Sequence, residues 1–363
     1  MNTLNRLLSH DLPRSRWLAA ALLVVVLALA AAPFIFPGSK ALGVAAKMLV
    51  FILLVASYDL LLGYTGIVSF AHTMFFGIGA YGVAIASTRL GEGGWAVLVG
   101  TVLALAVSLV LSLAVGLFSL RVRAIFFAMI TLAVAAAFQT LASQMSEWTG
   151  GEDGLSFKNP AWLSPSFELL STPVLGLTID GRVLCYYAIF AAVALLFLLL
   201  LRIVNSPFGR VLQAIRENDF RAEALGYRTV VYRTLSNVIS ALVATLAGVL
   251  LALWLRYTGP DTTLSFEVML DILLIVVIGG MGTMYGAVLG AVIFMLAQNY
   301  LQDLLALGAS VVADVPVLSA LVSPERWLLW LGVLFVLSVY HFPTGIVGRL
   351  RALALPLRAL GKH

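Results

Sequence analysis

Asp59, His72 and Asp271 are ionisable side chains that stand inside or near the ends of long apolar runs of this 363-residue chain. Charge in such places is expensive, and proton relays and ion-coordinating sites are built from these groups. Asp59 and Asp271 lie close to the ends of their runs, where interfacial water or a helix N-terminus is within reach. Ser69, His72, Thr73 and Phe76 follow i, i+3, i+4, i+7 spacing, which puts them on one face of a helix. Two roles are open to the His72 imidazole: a hydrogen bond between helices, or a contact to a ligand. Glycines form a second group of candidates. The stretch "GYTGIVSFAHTMFFGIGAYG" holds Gly63, Gly66, Gly77, Gly79 and Gly82. Glycine-broken backbone at membrane depth either packs on protein or lines a cavity, and Gly79 and Gly82 also suit close helix approach. In "IGGMGTMYGAVLGA", Gly279 and Gly280 precede Gly282, Gly286 and Gly290, whose four-residue spacing predicts a close-packing face. That stretch lacks the Lys-Ser/Thr pair of a phosphate-binding loop, so it does not bind ATP in that way.

Enzyme chemistry finds no support. Neither a G-x-S-x-G nor an H-E-x-x-H pattern occurs. A single cysteine, Cys185, and four scattered histidines exclude an internal disulfide and argue against a metal cluster.

The elements that must position these residues are membrane helices. The chain is 62% hydrophobic and only 11% charged, with a mean hydropathy of +1.05, far from the balance of a soluble domain. Apolar runs fall at about 17–36, 43–62, 68–88, 95–118, 124–143, 183–204, 233–254, 268–282, 286–303 and 326–343, each near bilayer-spanning length. The fold class expected is all-α and polytopic, with about ten transmembrane helices. Its first run is too long for a signal-peptide core and reads as an uncleaved helix. Arginines cluster in the tail 1–16 (Arg6, Arg14, Arg16), after the fourth run (Arg121, Arg123), between the sixth and seventh runs, and in the tail 344–363 (Arg349, Arg351, Arg358, Lys362). Ten crossings put all four clusters on one side, the cytoplasm by the positive-inside rule. Acidic loops with Glu147, Glu152, Asp153, Glu168 and Asp180, and with Asp303, Asp314 and Glu325, fall opposite. The net charge of +5 then reflects retained cytoplasmic arginines rather than nucleic-acid binding. Lys47 and Arg256 are expected to snorkel, and Asn237 and Ser240 to hydrogen-bond between helices.

One pattern occurs twice. Tyr64-Thr65-Gly66 is followed by Ser69-Phe70, and Tyr257-Thr258-Gly259 by Ser265-Phe266. Each copy follows an apolar run and precedes a glycine-bearing one. The offset of five crossings predicts two inverted five-helix repeats, about 17–143 and 183–343, within a transmembrane domain 17–343.

A charged insert, about 205–232, interrupts the second repeat. In "SPFGRVLQAIRENDFRAEALG", Ser206 is the expected N-cap and Pro207 the first helical residue. Phe208, Val211, Leu212 and Ile215 form an apolar stripe. Asn218-Asp219 predicts a break and a new cap, and a short helix from Phe220 to Leu225 should stop at Gly226. Such an insert suits an amphipathic helix on anionic lipid, or a docking element for a cytoplasmic partner.

With "RENDFRAEALG" between two membrane helices, the insert resembles the loop by which ABC importer permeases grip their ATPases. Glu223-Ala224-Leu225-Gly226 is similar to that loop's Glu-Ala-Ala…Gly core, with shorter spacing. Together with "GYTGIVSFAHTMFFGIGAYG" and "LSFEVMLDILLIVVIGGMGTMYGAVLGA", over about residues 45–300, the chain resembles the permeases of branched-chain amino acid ABC importers. Urea and short-chain amide importers have similar permeases, and an ion-coupled secondary transporter is the remaining alternative. The resemblance implies a bacterial inner-membrane subunit that is not itself an enzyme and carries no cofactor. Its implied partners are a homologous second permease, two cytoplasmic ATPases that use ATP, a periplasmic binding protein and membrane lipid. It also implies an ATPase-coupling group (Arg216, Glu217, Phe220, Glu223, Ala224, Leu225, Gly226). A translocation path or gate would comprise Tyr64, Thr65, Gly66, Ser69, His72, Thr73, Tyr257, Thr258, Gly259, Ser265, Phe266, Gly279, Gly280 and Gly282.

Overall fold

A computed structural model describes residues 15–35, 39–119, 124–165, 167, 180–311 and 323–352. Expectations for Arg6, Arg14, Arg121, Arg123, Glu168, Asp314, Arg358 and Lys362 lie outside the described residues. Each of the ten apolar runs is a helix: α1 Arg16–Ile35, α2 Ser39–Asp59, α3 His72–Leu90, α4 Gly94–Ser119 and α5 Ala124–Gln144 in the first part. The later part holds α6 Gly181–Val204, α7 Pro207–Glu217, α8 Asp219–Ala224, α9 Thr229–Leu255, α10 Phe266–Gly279, α11 Met284–Val311, α12 Trp327–His341 and α13 Gly345–Ala352. The protein is an all-α, multi-pass membrane protein. Among the described residues the strands are Leu155–Ser156 (β1) and Tyr257–Thr258 (β2), an antiparallel pair that joins the α5–α6 connection to the residues just after α9.

Burial sorts the helices into an inner and an outer set. At the centre, α2 and the turn that continues it are buried without a break from Met48 to Leu61. Around it, α1, α4, α5 and α12 expose Leu23, Val110, Ile125, Met129 and Leu328, as lipid-facing side chains should. Nine described helical spans are long and apolar enough to cross a bilayer, and α3 is not among them. Its His72, Thr73, Tyr81 and Ser87 are all buried by neighbouring helices. A helix walled by protein finds hydrogen-bond partners and close packing where a lipid-facing helix finds only hydrocarbon.

Glycine lets these inner helices touch. A methyl group at Gly79 would overlap the Thr245 carbonyl on α9, and one at Gly248 would overlap the Phe76 carbonyl on α3. On the other side of α3, a methyl group at Gly82 would come within 2.9 Å of the Gly100 carbonyl. Polar bonds complete the join, as expected for Asn237 and Ser240. Asn237 Nδ2 donates to the Ser112 carbonyl at 2.9 Å, and Ser240 Oγ to the Ser57 carbonyl at 2.5 Å. Thr245 Oγ1 lies 2.6 Å from Ser108 Oγ.

Three expectations need correction. The run read as a helix over 68–88 starts only at His72, because Gly66 takes a left-handed φ of 75° and residues 66–71 are not helical. Ser69 is therefore not on a helical face with His72; it precedes the helix, and its Oγ accepts from Ala71 N at 3.4 Å. Gly286 and Gly290 do pack closely, against Gly279 of α10, but Gly282 sits in the intervening turn at φ 79°. One cap has a simple consequence for stability. Asp180 Oδ1 accepts from Val183 N at 2.9 Å at the start of α6, so Asp180→Ala should cost about 1 kcal/mol, visible as a lower melting temperature in detergent.

Candidate functional site

The insert folds as two short helices with a kink. Pro207 opens α7, and Gly209, Leu212 and Ile215 turn inward. Ser206 holds the N-cap position as expected, but its side chain does not cap the helix. Its hydroxyl donates back to the Ile203 carbonyl at 2.6 Å and so finishes α6. Asn218 breaks the chain as expected, and its Oδ1 accepts from Arg221 N at 2.9 Å to cap α8. Gly226 follows in a left-handed conformation, φ 90°, that a side chain would resist.

Several charged residues of α8 serve the protein's own fold. Glu223 Oε1 accepts from Thr229 Oγ1 at 2.7 Å, and Asp219 pairs with Arg233 at 3.0 Å, so both acids fasten α8 to α9. Two large apolar side chains are left exposed there, Phe220 at 87% and Leu225 at 71%, beside the exposed Arg221 and Arg228. Glu223→Ala should loosen α8 by about 1 kcal/mol, the scale of a part-exposed charged hydrogen bond. Faster proteolysis at Arg221 and Arg228, with unchanged melting of the membrane helices, would show it.

Arg216, itself exposed, reaches the other way, to the insert-side ends of the membrane helices. Its guanidinium donates to the carbonyl of Gly63, within the π-helical turn Leu60–Thr65 that continues α2. Such turns carry an extra residue and recur at functional sites. The same side chain lies over two glycines. A methyl group at Gly66 would come within 3.1 Å of Arg216 Cγ, and one at Gly282 within 3.0 Å of Arg216 Nη1. Asp59 closes the cluster: its Oδ1 accepts from Gly282 N at 2.8 Å, while its buried Oδ2 has no hydrogen-bond partner among the described residues. Of the two expected surroundings, Asp59 does not reach interfacial water but lies at the turn that opens α11. It is 2% exposed and tied to the α10–α11 turn.

The remaining path candidates divide between the two ends of the helices. At the insert end Tyr64 and Thr65 are buried, and Thr65 Oγ1 lies 2.9 Å from Ser236 Oγ on α9. Gly279 and Gly280 end α10 there, Gly280 at φ 112°. At the opposite end Tyr257 donates its hydroxyl hydrogen to the Asp153 carbonyl at 3.0 Å, with Thr258 in β2. Gly259 leads into the turn before α10, which Ser265 caps by accepting from Val268 N at 3.4 Å. The two YTG triplets thus differ in backbone form, one ending a π turn and the other in a strand. Their Ser-Phe partners nonetheless converge: the Phe70 and Phe266 rings lie 6.0 Å apart, tilted by 42°. Sequence reasoning used Phe70 as part of a repeat but assigned it no role, and read Gly63 only as a glycine that packs on protein or lines a cavity. Nothing in the local sequence marks a contact made across nearly 200 residues.

His72 is held by α2, with Nε2 2.9 Å from Ser57 Oγ and 3.3 Å from the Leu54 carbonyl, and its ring 5.1 Å from that of Tyr58. Thr73 is buried on the next position of α3. Asp271 accepts from Gln298 Nε2 at 3.2 Å. These contacts join helices; the three groups are not gathered into one site.

Residues 40–339 match the family described as branched-chain amino acid transport system / permease component. The chain is similar to the high-affinity branched-chain amino acid transport system permease protein LivM of Escherichia coli strain K12, 26% identical over 294 residues, covering 77% of this chain and 68% of that protein. LivM of Salmonella typhimurium is 27% identical over 272 residues, with 72% and 63% covered. A probable LivM of Methanocaldococcus jannaschii is 27% identical over 180 residues, about half of each chain. The chain thus spans roughly two thirds of the length of the first two relatives. No solved structure matches. With most of its length, glycine turns and insert included, inside the matched region, this chain belongs to the branched-chain amino acid transport permease family.

Proposed function

We propose that the chain is a membrane subunit of an ATP-driven ABC importer, forming part of the path for branched-chain or related hydrophobic amino acids. The observation that carries this reading is the insert: Phe220 and Leu225 stand free while Arg216 reaches the insert-side ends of the membrane helices. A surface lipid anchor has no need of that inward arginine. A force-receiving element needs both features. The partners are a second, homologous permease, two cytoplasmic ATPases and a periplasmic binding protein. The insert and both chain ends face the cytoplasm of a bacterial inner-membrane protein, and the ATP is bound by the partner subunits. The names of the relatives support the substrate class. The path or gate runs beside the two Ser-Phe elements, with Ser69, Phe266 and the glycine turns at its edges.

The test is reconstitution with its partner permease, ATPases and binding protein in vesicles. ATP-dependent uptake of labelled leucine, isoleucine or valine is the expected result. Uptake of urea or acetamide instead would move the chain to an amide importer. Uptake by this chain alone, driven by a proton or sodium gradient, would replace the reading with an ion-coupled transporter.

A further inference from the structure

We infer that Arg216 is the lever that transmits movement of the α7–α8 insert to the Phe70–Phe266 contact between the two Ser-Phe elements. The inference rests on the transport reading above and adds a defined linkage to it.

Arg216 belongs to α7, yet its guanidinium holds the Gly63 carbonyl and lies over Gly282, while its stem lies against Gly66. Each of those glycines begins a direct route to one ring of the pair. From Gly66 the chain runs four residues, without helix, to Phe70. From Gly282 it passes through the Gly280 turn into α10, whose other end is Phe266. A 14-residue helix is a rod of about 21 Å, so a tilt of roughly 5° at its glycine end moves its far end by about 2 Å. Both routes begin at left-handed glycines, φ 75° and 79°, where backbone can turn with no side chain in the way. One arginine therefore sits on the near ends of two segments whose far ends touch.

The cluster also offers Arg216 a second position. Asp59 Oδ1 is occupied by Gly282 N, but Oδ2 is buried without a partner among the described residues. An arginine leaving the Gly63 carbonyl has a carboxylate oxygen close by to receive it, and a charged hydrogen bond there offsets the one given up. A bistable contact of this kind converts a small shift into two discrete arrangements. Gly63 makes it possible, since a methyl group there would overlap both Asp59 and the Gly282 nitrogen.

The experiment uses the assembled complex in nanodiscs, with Phe70→Cys and Phe266→Cys introduced into a Cys185→Ser chain, since Cys185 is its one native cysteine. Cross-linking by a short bis-thiol reagent is compared without nucleotide and after vanadate trapping with ATP. With Arg216 present, the yield should differ several-fold between the two conditions. With Arg216→Gln, read in the complex that co-purifies with its ATPases, the yield should become the same in both. A nucleotide-dependent yield that survives Arg216→Gln would overturn the lever, and one absent even with Arg216 would overturn the gate. If the glutamine variant does not fold, Arg216→Lys, which keeps the charge but not the planar reach, serves in its place. Failure of the ATPases to bind the unsubstituted chain is a different result, and would remove the transport reading itself.

Discussion

Phe220→Asp with Leu225→Asp is expected to release the ATPases and abolish ATP-driven uptake while leaving the membrane helices folded. Both side chains are large, apolar and exposed, at 87% and 71%. Neither supports the body of the protein, so melting in detergent should not change. A buried apolar anchor at a protein interface is worth about 2 kcal/mol or more, roughly a 30-fold loss of association for each. Introducing a carboxylate adds the cost of desolvating charge. Co-purification of the ATPases and uptake in vesicles measure the two effects. Ile215→Ala is the contrasting variant: Ile215 is 2% exposed beneath α7, so its loss should destabilise the insert itself. Retained association in the double aspartate variant would show that the partner grips another surface.

The largest structural effect is expected from Gly248→Leu. At this position a side chain meets the Phe76 carbonyl, a backbone atom that no rotamer change can move. To relieve the clash α9 would have to move away from α3, which strains its bonds to α4 (Thr245–Ser108) and to α2 (Ser240–Ser57). Overpacking alone costs about 1–3 kcal/mol, and loss of those buried bonds adds about 1 kcal/mol each. The expected outcome is little or no monodisperse protein on size exclusion. Gly43→Ala is the control, because a methyl group there has nothing within 4 Å. It should be neutral or slightly stabilising, by up to about 1 kcal/mol of helix propensity.

Much of the helical frame was legible because bilayer-spanning runs advertise themselves by length and composition. The break at Asn218 and the stop at Gly226 were legible too, since caps and left-handed turns have local residue signatures. Helix starts inside buried segments were not. Residues 68–71 are as apolar as a helix interior, and only the φ of Gly66 reveals that the chain is still unwound. Ser206 is the N-cap residue of α7 as expected, yet its hydroxyl completes α6, because a hydroxyl next to two helix ends can serve either. The roles of the charged residues were least accessible. Arg216 and Glu223 stand in one charged stretch, yet one reaches the ends of the membrane helices and the other binds Thr229. Asp59 finds its partner at Gly282, and Phe70 finds Phe266. Such pairings depend on tertiary contacts that no local pattern encodes.

The modest hydropathy of α3 bears on how the protein is made. A translocon releases a segment into lipid according to its own apolarity, and α3 alone falls below the other spans. Its main neighbour α9 begins at Thr229, roughly 140 residues beyond the end of α3, a delay of about 7–30 s at ordinary ribosome speeds. Until α9 emerges, Phe76 and Gly79 lack the close packing that Gly248 and Thr245 later supply. Nascent α3 therefore has reason to wait beside α2 and α4, or under an insertase, before taking its place. Assembly of the core is thereby timed by synthesis of the second half of the chain.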